Sequence, residues 1–107
     1  MQKSIYHTIH LLAGHPTRIG YRYLALAVSI SIREGYPARS LTTSLYPQVA
    51  AQSGAAASNV AREIARAVDD CWDYGDHKAL ELIAGRRLAE KPTPGEVIYY
   101  LTQYLSD

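Results

Sequence analysis

Five breaks constrain this chain more than any other feature. Gly14-His15-Pro16, Gly35-Tyr36-Pro37, Ser53-Gly54, Gly75-Asp76 and Lys91-Pro92-Thr93-Pro94 interrupt it at short intervals, and the stretches between them repeat apolar residues at helical spacing. Gln2–Ala13 sets Ile5, Ile9 and Leu12 on one face, and Pro16 disfavours a helical residue before it. Gly20–Arg33 is apolar around most of its circumference through Tyr23, Leu24, Ala27, Val28 and Ile30, which predicts a central helix. Ser40 is placed to cap Leu41–Gln52, where Pro47 predicts two short helical pieces. Ala56–Tyr74 is the longest periodic segment and stops at Gly75. Asp76 is placed to cap a helix reaching Ala84, and Gly95–Leu105 closes the chain with Val97, Ile98, Leu101 and Leu105 inward. The expectation is an all-α fold, a compact six-helix bundle-like domain without strands. A short helix, a tight turn at Gly54 and a longer helix make a helix-turn-helix.

The chain's 107 residues, 48% of them hydrophobic, suit one domain with one core, so residues 1–107 are expected to form a single unit. Its longest apolar stretch, Tyr23 to Ile32, is interrupted by Ser29 and Ser31 and bracketed by Arg22 and Arg33, so no membrane segment is expected. Met1-Gln2-Lys3-Ser4 leads straight into a periodic segment without an apolar secretory block, and a cytoplasmic location is expected. The single cysteine, Cys71, excludes an internal disulfide, and its neighbour Trp72 suggests a buried structural thiol. His7 and His10, with His15 nearby, lack a Cys or carboxylate to complete a metal set. With no Gly-rich phosphate loop, paired carboxylates or Ser/His/Asp order, neither an enzyme nor a cofactor is expected.

The formal charge is only +1, yet its distribution is uneven. Residues 1–66 carry seven basic and two acidic side chains, a surplus of five, whereas residues 67–107 carry four basic and eight acidic, a deficit of four. Such a split lets one surface meet phosphates while another avoids them. The same polarity runs along the segment Ala57–Asp73. At about 100° per residue, Ala57, Val60, Ala61, Ile64, Ala67, Val68 and Cys71 share one side. The other side carries Asn59, Arg62 and Arg66, then Asp69, Asp70 and Asp73. Such charges on the outer face of a helix are commonly just its solvated side, with Glu63 available as a partner. Asn and Arg in the first turns also suit a helix entering a DNA groove by its N-terminal end, since Arg pairs with guanine and Asn with adenine.

In Gly20-Tyr21, Tyr23-Leu24 and Ala27, in Leu45-Tyr46-Pro47, in Ala57-Ser58, Val60, Arg62, Ile64, Ala67 and Trp72, and in Lys91-Pro92-Thr93, the chain resembles a known family. It is the C-terminal effector domain of the sporulation response regulator, stage-zero sporulation protein A, and the resemblance runs from about Ile5 to Leu105. It implies a DNA-binding transcription regulator, with a reading helix from about Ala57 to Trp72. Double-stranded DNA is the implied partner, and a homodimer on tandem sites and the RNA polymerase sigma subunit are further candidates. Arg62 and Asn59 are then expected to touch base edges, Arg66 a base or phosphate, and Ser58 and Arg18 the backbone. Departures are equally specific. Asn59 stands where the family has Arg, Ala61 where it has Glu, Ala65 where it has a later Arg beside Arg66, and Arg18 where it tends to have His; only Arg62 matches a base-reading position. The family's basic residue before Gly20 is absent. A shifted target or weakened DNA binding follows, and a protein-interaction module pairing with a full-length relative or RNA polymerase is the alternative. The family's phosphorylatable receiver domain has no counterpart in these residues, so a fragment, or a stand-alone relative controlled by abundance or a partner, is expected.

Overall fold

The second helix organises the molecule. The computed structural model describes residues 4–36 and 41–106, with α1 at Ile5–Leu12, α2 at Ile19–Glu34, α3 at Leu45–Ser53, α4 at Ala57–Tyr74, α5 at His77–Ala84 and α6 at Pro94–Leu105. α2 packs against α1, α3, α4 and α6, while α5 joins α1 to α6. Its residues Tyr23, Leu24, Ala27, Val28 and Ile30 are all buried, as its apolar circumference requires. The fold is all-α, and no strand occurs among the described residues. The domain measures 33 × 27 × 24 Å.

Three of the helices, α1, α5 and α6, begin where side chains satisfy their free N–H groups. Ser4 accepts from the His7 N–H at 3.2 Å to open α1, and Asp76 accepts from the Ala79 N–H at 3.1 Å to open α5. At α6 the Glu96 N–H donates to Thr93 Oγ1 at 3.1 Å, and Glu96 Oε1 accepts from the Thr93 N–H at 2.8 Å. This reciprocal box precedes Pro94, whose missing N–H costs nothing in the first turn. α6 then buries Val97, Ile98, Leu101 and Leu105, each contributing about 1.5–3 kcal/mol relative to exposure.

Leu41–Gln52 differs from expectation. Leu41–Ser44 forms turns, and a single helix runs from Leu45 to Ser53. Pro47 is its third residue, where no intrahelical N–H bond is yet needed, so it neither kinks the helix nor divides it. α1 begins at Ile5; Gln2 and the expected cap Ser40 lie outside the described residues. α2 and α4 come unusually close at Gly20. A Cβ there would stand 2.1 Å from the Glu63 carbonyl oxygen and 2.9 Å from Ala67 Cβ, so only hydrogen fits.

Candidate nucleic-acid interface

α3 and α4 form the helix-turn-helix. α3 ends at Gly54, whose φ of +79° and ψ of 5° lie in the left-handed region that side chains resist. The Ala55 N–H donates to Ser53 Oγ at 3.3 Å, and extended Ala56 feeds α4. α4, unlike α1, α5 and α6, starts without a side-chain cap. The Asn59 and Val60 N–H groups turn back to the Ala56 carbonyl at 3.0 Å, and the start of α4 lies at the positive end of the helix dipole, which favours an anion.

Val60, Ile64, Ala67, Val68 and Cys71 are buried, as the periodicity of α4 predicts. Ser58 and Arg62 are exposed and Asn59 is half-exposed on the first two turns. The Arg62 guanidinium donates to Asn59 Oδ1, an exchangeable pair within one helix face. Arg66 is 60% exposed and its Nη1 lies 2.9 Å from Glu63 Oε2, so Glu63 pairs with Arg66 and not with Arg62. Arg18 sits at the start of α2, far away in sequence. It nevertheless shares a shallow groove of about 200 Å³ with Ile19, Gly20, Glu63, Arg66 and Ala67. The tertiary structure thus brings Arg18 to Arg66, while Ser58, Asn59 and Arg62 line the outer edge of α4. Ser58 also borders an apolar depression formed with Thr42, Tyr46, Ala57 and Ala61.

Asp70 departs from its expected place among the exposed acids. It is 4% exposed, and Oδ2 accepts from the Tyr21 hydroxyl at 2.6 Å and the His15 N–H at 2.8 Å. Oδ1 lies 2.5 Å from His15 Nδ1 and 3.8 Å from Arg18 Nε. On a helical wheel Asp70 falls about 110° from the centre of the apolar stripe, on the flank of Glu63 and Ala67 that α2 covers. A wheel drawn for α4 alone cannot show that covering. Burial pushes the Asp70 carboxyl up, but hydrogen bonds from Tyr21 and His15 outweigh it and hold the carboxyl below its ordinary 3.8. Burial, reinforced by the hydrogen bond to Asp70, raises the Tyr21 hydroxyl.

Asp69 and Asp73 do remain exposed. Asp69 binds Lys91 Nζ at 2.5 Å, and that bond, with the charges of Asp69 and Asp73, raises the Lys91 ammonium. Cys71 is buried and its thiol is pushed up to about 11 by burial first, then by Asp70. Trp72 stacks on the His77 ring at 4.2 Å. His15, one of the histidines weighed for a metal, is committed to Asp70 and stands edge-on to Tyr74. Among the described residues no group of His, Cys, Asp and Glu could hold a metal ion, and no helix is long and apolar enough to cross a membrane.

Comparison with known protein families matches residues 5–105 to the family described as sporulation initiation factor Spo0A C terminal. It is a DNA-binding regulatory family and not an enzymatic one. The match takes in all six helices, the helix-turn-helix and the loop that carries Arg18. The chain belongs to the family of sporulation initiation factor Spo0A C-terminal domains.

Proposed function

We propose that the domain is a transcription regulator that recognises a specific duplex sequence, with α4 entering the major groove by its first two turns. The observation that carries this reading is the state of that face. The Asn59 and Arg62 side chains are bonded to each other and, among the described residues, to no other element, so their donors and acceptors can be exchanged for base edges without disturbing the core. Arg62 suits the two acceptors of guanine and Asn59 the donor and acceptor of adenine, each good pair discriminating by about 1–3 kcal/mol. Ser58, the uncapped start of α4, Arg66 and Arg18 are assigned to phosphates or to a flanking base. A homodimer on tandem sites and contact with the RNA polymerase sigma subunit extend the same proposal. They rest on family membership.

Selection of bound duplexes from a random pool supplies the target, and affinity over a range of salt tests the reading. Each neutralised phosphate contributes about −0.9 to the log-log slope. A slope near zero would favour the interaction module instead. On the selected site, Asn59→Arg should move preference toward guanine at one position, because Arg matches both acceptors of that base. Uniform tightening on all sequences would show that position 59 meets the backbone and not a base.

A further inference from the structure

We propose that Asp70 is a positioning residue of the DNA interface: from beneath the α1–α2 loop it holds Arg18 beside Arg66, so that two guanidiniums meet one stretch of phosphate backbone. The inference rests on the DNA-binding reading above and assigns a role to a buried acid that the reading does not use.

A carboxylate in a helix flank is costly to desolvate unless every lone pair finds a donor. Asp70 draws its partners from one short segment. His15 supplies its backbone N–H and its ring and Tyr21 its hydroxyl within hydrogen-bonding distance, and the Arg18 guanidinium faces Oδ1 as an ion pair, with Nε 3.8 Å away. His15 and Arg18 stand at either side of Pro16 and Thr17, and the Arg18 N–H closes the turn on the His15 carbonyl at 3.1 Å. The carboxylate therefore grips both ends of the loop at once. α2 and α4 already meet at Gly20 through close backbone contact, so fastening the two helices does not by itself require a buried charge. What an apolar residue at 70 could not do is orient a guanidinium. Asp70 engages Arg18 through Nε, and the side chain stays 54% exposed in the groove it shares with Arg66. Among the described residues its terminal nitrogens make no hydrogen bond, and a guanidinium's planar fork suits phosphate.

The test compares the parent domain with Arg62→Ala, Arg18→Ala, Asp70→Asn and the Arg18→Ala/Asp70→Asn double variant, on the selected duplex over a range of salt. Asn keeps the size of Asp and can still accept from Tyr21 and His15. It removes one negative charge, which taken alone would tighten DNA binding. The expected result is the opposite: Asp70→Asn weakens binding several-fold and lowers the magnitude of the salt slope by about 0.9, as Arg18→Ala does, and the double variant loses no more than Arg18→Ala. An unchanged slope, tighter binding, or losses that add in the double variant would overturn the proposal even if Asp70→Asn melts at a lower temperature. Should Asp70→Asn not fold, the parent decides. A held Arg18 should show a more ordered side chain in Nε relaxation than exposed Arg33 or Arg86, and order as low as theirs overturns the inference. If Arg62→Ala and the parent bind all duplexes alike, the DNA reading falls and this role with it. If Arg62→Ala weakens binding while Asp70→Asn leaves the slope intact, only the role of Asp70 is lost.

Discussion

The two halves of α4 differ in the charge they carry and in the way they are held. In the first turns, among the described residues, the charged and amide side chains bond within the helix, Arg62 to Asn59 and Arg66 to Glu63. In the last turns they bond to distant parts of the chain: Asp69 to Lys91, Asp70 to His15 and Tyr21. Cys71 is buried between them and Trp72 is stacked on His77. The contrast teaches that one helix can be anchored at one end and chemically free at the other. Pairs between exposed neighbours on one helix contribute only a few tenths of a kcal/mol, so they yield readily to a ligand. A buried carboxylate with several donors does not yield, because each orphaned group would carry its full desolvation cost.

The largest break would come from removing what supports the anchored half. Truncation after Lys91 deletes α6, which packs on α2, α4 and α5 and buries Val97, Ile98, Leu101 and Leu105. Domains of this size hold only about 5–15 kcal/mol in total, so the truncated chain should lose cooperative folding. A truncated chain that still melts in one sharp transition would show that α6 is peripheral.

Next is the anchor itself. Asp70→Ala leaves the Tyr21 hydroxyl and the His15 N–H without their acceptor and should cost about 2–3 kcal/mol in chemical denaturation. The sign of its pH dependence follows from the lowered carboxyl. The unfolded chain takes up the proton first, so the stabilisation is complete above the ordinary carboxyl value and fades as the pH falls through the lower folded value. The stability difference between parent and Asp70→Asn should therefore shrink below about pH 4. A difference that stays constant into strong acid would mean that the charge is not what Asp70 contributes.

At the free end the effects should appear in binding and not in folding. Arg62→Ala should weaken the preferred duplex by about 1–3 kcal/mol and relax preference at one base pair, with an unchanged melting temperature. Should the variant bind every single-base operator change as the parent does, α4 is not the reader. Smallest of all is Lys91→Ala, which removes an exposed partner from exposed Asp69. It should leave thermal stability unchanged within error. A clear drop in melting temperature would show that the anchored half relies on this surface pair as well as on Asp70.

The sequence by itself determined the six helices, the helix-turn-helix and the inward faces of α2, α4 and α6. These depend on local periodicity and on breakers such as Gly54, Gly75 and Pro94, whose effects reach only a few residues. It also marked Asn59, Arg62 and Arg66, since a single helix wheel suffices to place them outward. Leu41–Gln52 was legible only in part. Pro47 signals a break or a first turn equally well, and the position of Leu45 against the core decided which. Asp70 was not legible, because its face is set by α2, and its partners His15 and Tyr21 stand 55 and 49 residues away. Nor was the meeting of Arg18 with Arg66, which depends on Gly20 bringing two backbones together. Local pattern specifies which way a side chain leaves its own helix. Whether water or another helix waits there is decided only when the helices pack.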